Sequence, residues 1–405
     1  MHELDWVTSL RAAIALFASV AVVGCAGPPP GADPVQPTIA KVDLGDYEVV
    51  EGWPRPLPDD DLSHDGWTWG SGAGVWVETP DKVWVSQRSE IELPQGAAPW
   101  ICGCLLEPRR TNTGRRAYSG EERDYAMRRH HLIWAVDREG SAIEEWLHLD
   151  DFFFPPGSLA RGPHKIKISP YDREKHVWII DDDLHEIHKF TNDGQLVMTL
   201  GERGAPGRGP NHFNRPTDID WLPDGTFFIA DGYAGTRVAK FDPDGKFLLD
   251  WGQPPKDPEN PGPGEFWSVH SIGISNDRRI FVADREHHRM QVFDENGNFL
   301  EMWPTGHDSA VLTHYMTADD TIWVADWTTD RLIKYDLDGR YILDIGGHGP
   351  LPGQFDGVHQ IHVDQDGNLY VTEVANDRSQ KFRPKPDADP AKLLGPPVGG
   401  WSPEE

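Results

Sequence analysis

The sequence has 405 residues and a formal net charge of −28 at pH 7, because 38 Lys and Arg stand against 66 Asp and Glu. A chain this acidic lacks the basic surface that tracks a phosphate backbone, which argues against nucleic acid as a partner. The 41 Gly and 35 Pro, beside 17 Trp, predict many short elements joined by turns around an aromatic core. Three Cys are too few for a disulfide scaffold, so the core must hold the fold.

The chain opens with an apolar run, AAIALFASVAVV (12–23). A dozen residues match the apolar region of a secretory signal and fall short of the roughly 20 needed to cross a bilayer. The run ends in VVGC, which resembles a bacterial lipobox, so we predict a lipoprotein-type signal peptide over 1–24 and lipidation of Cys25. Ordinary cleavage near Ala26 is the alternative. A start at Val7 would leave a leader without acidic residues.

Either form of processing exports the mature chain. We therefore expect a periplasmic or cell-surface lipoprotein that meets a membrane only through its lipid anchor, or otherwise a secreted protein. Residues 25–44 are rich in Pro and Gly at their start and are predicted to form a flexible tether.

Two short strings recur along the rest of the chain. One string begins with Gly, continues with residues whose side chains alternate with period two, and ends on Trp or Gly, as in GKFLLDWG (245–252) and GRYILDIG (339–346). The other is an apolar run that ends in an acid, as in FIAD and FVAD. The aligned acids are Asp181, Asp231, Asp284, Asp326 and Glu373, which are 50, 53, 42 and 47 residues apart. Each interval suits four short strands, and Asp-Gly or Asn-Gly pairs mark the hairpins.

These repeats predict an all-β chain that folds as a six-bladed β-propeller over residues 45–383. The last unit has no outer string after Phe382, whereas GDYEVVEGW (45–53) stands before the first unit without inner strands. We therefore expect an N-terminal outer strand to pair with the last blade and close the ring, which would protect both edges. Residues 89–128 interrupt the repeat as an insertion, and 384–405 form a Pro-rich C-terminal tail.

The repeat also serves as a ruler for the 18 His. Counting back fourteen residues from each aligned acid, and from Gln87 at the matching position of the first unit, reaches the start of the innermost strand; three more residues are allowed in the second unit. In chain order this position holds Ala73, His164, Thr217, His270, Leu312 and His359. Alternate blades would thus place three imidazoles about 120° apart around the channel, which is the layout of an open, catalytic zinc site. Iron, copper or cobalt would also suit three His. The alternative is that these His bond only to water or to neighbouring blades.

Residues just after the aligned acids should lie at the same end of the channel as these His, because the second strand runs back along the first. Arg88 and Tyr233 occupy such positions. Arg88 supplies a permanent cation for a carboxylate, and Tyr233 is a candidate base. Arg285 is a candidate for substrate binding, although its pattern also suits an ion pair between blades.

The strings NHFNRPTDI, ADGYAGTRVAKF, PGEFWSVHSIGI and GQFDGVHQIHV together resemble NHL-repeat propellers, and in their order they resemble the peptidyl-α-hydroxyglycine α-amidating lyase family over about 74–383. The resemblance implies a lyase that splits the C–N bond of an N-acyl-α-hydroxyglycine into an amide and glyoxylate. The site it implies is zinc on His164, His270 and His359, with catalytic Tyr233 and Arg88.

Two departures from the family pattern stand out. Gln360 replaces the Asp that helps to hold the family's structural calcium, so we do not expect structural calcium. The insertion contains Cys102 and Cys104, which could form a bridge, bind metal or simply pack, and it follows Arg88 closely enough to cover the channel mouth.

We therefore predict a metal-dependent lyase for a small-molecule or peptide substrate that has a carboxylate, either an N-acyl-α-hydroxyglycine or a similar small α-hydroxy compound. The sequence contains no copper monooxygenase of the kind that makes hydroxyglycine substrates in animals, so a separate monooxygenase partner or another substrate is needed. Two alternatives stay open: a metal-dependent propeller hydrolase or lactonase, in which the metal activates water, and a non-catalytic NHL-repeat binding scaffold at the cell surface.

Overall fold

The computed structural model describes residues 42–60, 62–93, 127–155, 161–306 and 309–401. These residues form six antiparallel sheets of four strands and one sheet of three. Helical structure within them is limited to the α-helix α1 and to three 3₁₀ turns: Asp150–Phe153 (α1), then Leu147–Leu149, Arg285–His287 and Pro390–Lys392. The prediction of an all-β chain is confirmed.

The four-stranded sheets follow one another along the chain. The first three contain β3 (Gly72–Thr79), β4 (Lys82–Gln87), β7 (Ile133–Val136) and β8 (Ala142–Glu145); β9 (Lys165–Ile168), β10 (Val177–Asp181), β11 (Glu186–Phe190) and β12 (Leu196–Gly201); β13 (Pro216–Trp221), β14 (Phe227–Asp231), β15 (Arg237–Phe241) and β16 (Phe247–Trp251). The last three contain β17 (Val269–Ile274), β18 (Ile280–Asp284), β19 (Arg289–Phe293) and β20 (Phe299–Pro304); β21 (Val311–Met316), β22 (Thr321–Asp326), β23 (Arg331–Asp336) and β24 (Tyr341–Gly346); β25 (Val358–Val363), β26 (Leu369–Glu373), β27 (Arg378–Pro384) and β1 (Tyr47–Val49).

The innermost strands of the six sheets contact one another in a cycle. The order is β3, β9, β13, β17, β21 and β25, and β25 in turn contacts β3. Apolar clusters fill the space between consecutive sheets: Trp178 of β10 packs in one cluster with Phe227 of β14, and Tyr370 of β26 packs in another with Val83 of β4. The hydrophobic core is therefore divided into interfaces between sheets, and one of those interfaces joins the last sheet to the first.

The first strand of the chain completes the last sheet. β1 pairs antiparallel with β27, with Tyr47 opposite Pro384 and Val49 opposite Phe382. Tyr47 is buried, and its hydroxyl accepts a hydrogen bond from the Leu394 backbone N–H at 3.0 Å. The outer edge of β27 is covered as a result, as the sequence predicts.

The hairpins form at the predicted Asp-Gly and Asn-Gly pairs. Between β15 and β16, for example, the Asp242 carboxylate accepts hydrogen bonds from the backbone N–H groups of Asp244 and Lys246. Gly245 in the same turn has φ of +80°, which costs an L side chain energy that glycine does not pay. The turn residues thus set the register of the two outer strands.

The inner strands share an irregularity at the ruler position. In the five sheets that contain β3, β13, β17, β21 and β25, a β-bulge leaves one inner residue unpaired: Ala73, Thr217, His270, Leu312 and His359. In the other sheet, His164 precedes β9 and donates its N–H to the Ile180 carbonyl at 2.7 Å. A bulge redirects its side chain out of the regular alternation, so this position in each sheet is suited to a functional group.

The three-stranded sheet was not predicted. It contains β2 (Trp67–Trp69), β5 (Glu90–Glu92) and β6 (Met127–Arg128), in the order β2-β5-β6. The two ends of the predicted insertion are therefore strands that pair with each other, and β5 also pairs with β2. The leader with Cys25, and the insertion's Cys102 and Cys104, lie outside the described residues.

The C-terminal tail packs against the C-terminal ends of inner strands. The Ala318 N–H donates to the Pro396 carbonyl, and the Trp401 indole N–H donates to the Val363 carbonyl. Within the described part of the chain, no helix has the length and apolar character that a membrane span requires.

One repeated ion pair anchors the outer strands of several sheets. Arg237 of β15 donates to the aligned acid Asp231 at 2.8 Å and to Asp250 of β16 at 2.7 Å, and both Arg237 and Asp231 are buried. Arg289 with Asp284 and Arg378 with Glu373 repeat the pair.

We expect Arg237→Ala to lower the free energy of unfolding by about 3 to 5 kcal/mol, because it leaves a buried carboxylate without its cation. Urea unfolding measures the change. Arg340→Ala is the matched control, since Arg340 is exposed and its pairs with Asp336 and Asp338 are at the surface; it should change stability by less than about 0.5 kcal/mol. Equal effects of the two substitutions would contradict the assignment.

Candidate metal centre and active site

Three imidazoles from alternate sheets meet where the inner strands begin. His164, His270 and His359 are all buried, and their ring centroids are 4.5, 5.3 and 5.7 Å apart. Each offers one nitrogen within 4.8 Å of the nitrogens of the other two. The structure thus brings together the three residues that the ruler selects, and we call them the His triad.

The backbone of the neighbouring sheet fixes each ring. The Nδ1–H groups of His164, His270 and His359 donate to the carbonyls of Thr217, Leu312 and Ala73, at 2.9, 2.6 and 2.7 Å. The three acceptors occupy the ruler position of the next sheet in the cycle. Because carbonyl oxygens only accept, Nδ1 must hold the proton in each ring, and Nε2 presents a lone pair to the centre.

The described residues offer too few hydrogen-bond donors for the lone pairs of the three Nε2 atoms. The Tyr233 hydroxyl lies 3.1 Å from Nε2 of His164 and 2.8 Å from Nε2 of His270, but its one proton can serve only one of them. His359 Nε2 is buried and has no hydrogen-bond partner among the described residues. A divalent ion satisfies all three lone pairs at once, so the triad fits a borderline metal such as zinc.

The surroundings keep the triad neutral. Burial lowers the pKa of all three imidazoles well below the usual range. Neighbouring groups lower it further: the other two rings, which compete for the same proton, and Arg88 for His164, Arg285 for His270, and Arg88 for His359. A neutral imidazole is the form that binds metal.

Arg88 lies beside the triad, as the sequence predicts. It follows β4 directly, is buried, and directs its Nε–H toward the Pro163 carbonyl at 3.5 Å. Its charge also helps to hold the pKa of Asp182 below the usual range, against the effect of burial. Arg88 therefore places a cation on the same face as His164 and His359.

Tyr233 is surrounded by arginines. The guanidinium carbons of Arg215, Arg285 and Arg161 lie 4.7, 5.1 and 5.3 Å from the centroid of its ring. Burial opposes the charge of Arg285, but Tyr233 and Glu286 outweigh it and raise the pKa of the guanidinium. Arg285 pairs with Glu286 at 2.9 Å, which is its sequence neighbour and not a residue of another sheet.

Sequence reasoning missed Arg161, Arg215 and the buried Asp182 that both arginines contact. A signal existed for Asp182, since it follows the aligned acid Asp181 as Arg285 follows Asp284. Arg161 and Arg215 precede the inner strands in irregular segments, where the repeat gives no alignment.

Comparison with known proteins adds a family relationship to this geometry. An NHL repeat is recognised at residues 266–293, which contain β17, β18 and β19. The chain is homologous to named amidating lyases. It is 29% identical to peptidyl-α-hydroxyglycine α-amidating lyase 1 of Drosophila melanogaster, over 57% of this chain and 46% of that protein. It is 32% identical to peptidyl-glycine α-amidating monooxygenase A of Xenopus laevis, over 55% of this chain and 24% of that protein.

The chain matches less than half of the length of these relatives. At the level of class, the similarity supports a lyase-like enzyme built on an NHL propeller. Among solved structures, a streptogramin B lyase aligns at a TM-score of 0.47 and 13% identity, over 78% of this chain and 94% of that one, which is too distant to bear on function.

The depressed pKa values of the triad predict how the metal-free protein responds to acid. Each folded imidazole has a lower pKa than in the unfolded chain, where it is about 6.5, so the folded state binds fewer protons. The contribution of the neutral imidazoles to the free energy of unfolding is fully present above pH 6.5, and it is lost as the pH falls below that value. Each His contributes about 1.4 kcal/mol per pH unit.

We therefore expect His270→Gln to reduce the slope of the unfolding free energy between pH 6 and pH 5 by about 1.4 kcal/mol per unit, measured by urea unfolding in chelator. Thr217→Val, at a ruler position without His, should leave the slope unchanged. If the two variants had the same slope as the unmodified chain, the triad would not be the source of the effect.

Proposed function

We propose that this protein is a metal-dependent C–N lyase that converts an N-acyl-α-hydroxyglycine, or a closely similar small α-hydroxy compound, into an amide and glyoxylate. The observation behind the proposal is the Tyr233 hydroxyl, which lies within hydrogen-bonding distance of two triad nitrogens and among three guanidinium groups. The homology to named amidating lyases supports the same class.

We also interpret the six four-stranded sheets as the blades of one closed propeller. The cyclic contact of the inner strands, the apolar cluster that joins Tyr370 to Val83, and the pairing of β1 with β27 support this interpretation. The three-stranded sheet is then a side element of the first blade, since β5 follows β4 after two residues.

The charges at the mouth of the channel suit a substrate carboxylate. Arg88, Arg161, Arg215 and Arg285 gather there, against the carboxylates Asp182, Asp183 and Glu286 that pair with the last three of these arginines. Four guanidinium groups against three carboxylates leave positive charge for an anionic substrate, and guanidinium groups bind carboxylates in a fixed geometry.

A divalent ion on the triad would supply Lewis acidity, polarising a substrate oxygen and orienting the hydroxyl. The Tyr233 oxygen, in its deprotonated form, accepts the proton of that hydroxyl as the C–N bond breaks. The bonding pair of the C–N bond passes to nitrogen, the carbinol carbon becomes the aldehyde of glyoxylate, and the proton held by Tyr233 passes to nitrogen to complete the amide.

The arginines have a separate part in this reaction. Negative charge is present on the deprotonated Tyr233 oxygen before the transfer and develops on the departing nitrogen, and the guanidinium groups that surround the ring stabilise it from fixed positions. Arg88 adds a further cation beside His164 and His359. Because these groups are already held by Asp182 and Glu286, little reorganisation is needed during the reaction.

The test is release of glyoxylate from α-hydroxyhippurate by the zinc-loaded protein. We expect Tyr233→Phe to lower kcat by about 10² to 10⁴, the range for loss of a positioned base, while bound metal is retained. Tyr341→Phe is the control, since Tyr341 is exposed on β24 and should leave kcat unchanged.

Two outcomes would contradict the proposal. Full metal occupancy without glyoxylate release would exclude this substrate class and favour another reaction of the site. Release that persists at the original rate in Tyr233→Phe would remove Tyr233 from the chemistry.

A further inference from the structure

A second group of imidazoles lies beside the first sheet. Asp60 and His64 precede β2, while His130 and His131 join β6 to β7. Each of the four offers one ligand atom, and these atoms lie within 4.8 Å of one another, the same limit that the His triad meets. We call Asp60, His64, His130 and His131 the side cluster.

Each ring of the side cluster directs one nitrogen at a carboxylate outside it. Nδ1 of His130 lies 2.9 Å from Asp150, Nδ1 of His131 lies 2.9 Å from Glu90, and Nε2 of His64 lies 3.1 Å from Glu90. A carboxylate that accepts from one ring nitrogen and leaves the other for an ion is the usual support of a metal-binding His.

The remaining ring nitrogens face carboxylates or have no hydrogen-bond partner among the described residues. Nε2 of His130 and Nε2 of His131 lie 2.7 and 3.7 Å from the same oxygen of Asp60. Nδ1 of His64 is buried and has no hydrogen-bond partner among the described residues, its nearest acid being Asp59 at 3.9 Å. Two ring nitrogens thus lie near one oxygen of Asp60, with Glu145 closer to His131 at 3.0 Å, and the His64 nitrogen nearby has no hydrogen bond among the described residues.

Four carboxylates, of Asp60, Glu90, Glu145 and Asp150, surround the rings of His130 and His131 and favour positive charge there, either as protons on the rings or as a metal ion. His130 could donate to both Asp150 and Asp60 only as an imidazolium, and His131, with Glu90 on one side and Glu145 3.0 Å away on the other, would have to be one too. Their rings are 4.5 Å apart, so two positive charges would adjoin. One divalent ion replaces both inner protons and leaves each ring neutral.

We propose that the side cluster holds a second divalent metal ion of the zinc type. Three nitrogens and one carboxylate oxygen form a closed four-ligand set, which is the composition of a structural site and not of a catalytic one. The ion would join two segments, 60–64 and 130–131, that are distant in sequence and lie outside the repeated sheets.

The position of the side cluster links it to Arg88. Glu90, which supports two of the rings, is two residues after Arg88. The Gln87 side-chain amide donates to the His131 carbonyl at 2.9 Å, and Arg129 donates to the Arg88 carbonyl. The ion would therefore hold the backbone on both sides of Arg88, which makes His130 and His131 positioning residues for it.

Metal content of the full chain tests the proposal. After loading with Zn²⁺ and gel filtration, we expect two ions per chain in the unmodified protein, one in His130→Gln, one in His270→Ala and none in the double variant. His148→Gln is the matched control, because His148 lies nearby in the 3₁₀ turn and donates to the Gly194 carbonyl without joining the cluster; it should retain two ions.

Asp60→Asn is a second, milder variant that keeps the size of the side chain, and it should weaken binding of one ion. Visible absorption of Co²⁺ bound to folded His270→Ala reports the side cluster independently of the triad, and it should vanish on adding His130→Gln. If His270→Ala binds no metal, or if neither His130→Gln nor Asp60→Asn lowers the metal content, the side cluster is an ion-pair network and the proposal is wrong.

Discussion

The hydrogen bond from each triad imidazole to a backbone carbonyl of the next sheet is the constraint on which the site depends. It sets the tautomer, turns Nε2 inward and ties the orientation of the ring to the spacing between two sheets. A side-chain acceptor for the imidazole N–H could change its rotamer, whereas a backbone carbonyl at a bulged position is fixed by the sheet itself. The packing between the sheets therefore determines the geometry of the triad, because a sheet displaced by an ångström would rotate an imidazole away from the centre.

This arrangement has an energetic cost that a cation offsets. Three neutral rings are buried with their lone pairs converging, in surroundings where unpaired polar atoms are expensive. The arginines nearby make protonation of the rings still less favourable, and at the same time they favour anions at the mouth. The same positive surroundings thus exclude protons from the metal site and attract the proposed carboxylate substrate.

The repeat explains what could be predicted from the sequence. In each repeat the inner-strand position lies at nearly the same distance before the aligned acid. The sequence alone could therefore align Ala73, His164, Thr217, His270, Leu312 and His359. The pairing of β1 with β27 followed from an outer string without inner strands. Arg161 and Arg215 could not be placed because they lie on irregular segments, and the side cluster could not because its members come from outside the repeat. The residues of the side cluster come together only through tertiary packing, which a single sequence does not reveal.

The bond between His359 and the Ala73 carbonyl spans 286 residues. The third ligand of the triad therefore comes from the last sheet, and its orientation depends on the first. A nascent or truncated chain can present His164 and His270 but cannot orient His359, so the pocket that selects a metal exists only when the last strands have returned to the first. Closing so long a span is entropically costly and slow. Acquisition of the proposed metal would thereby be a late event, after the last sheet has paired with the first, and the compartment where folding finishes would determine which metal the triad meets first.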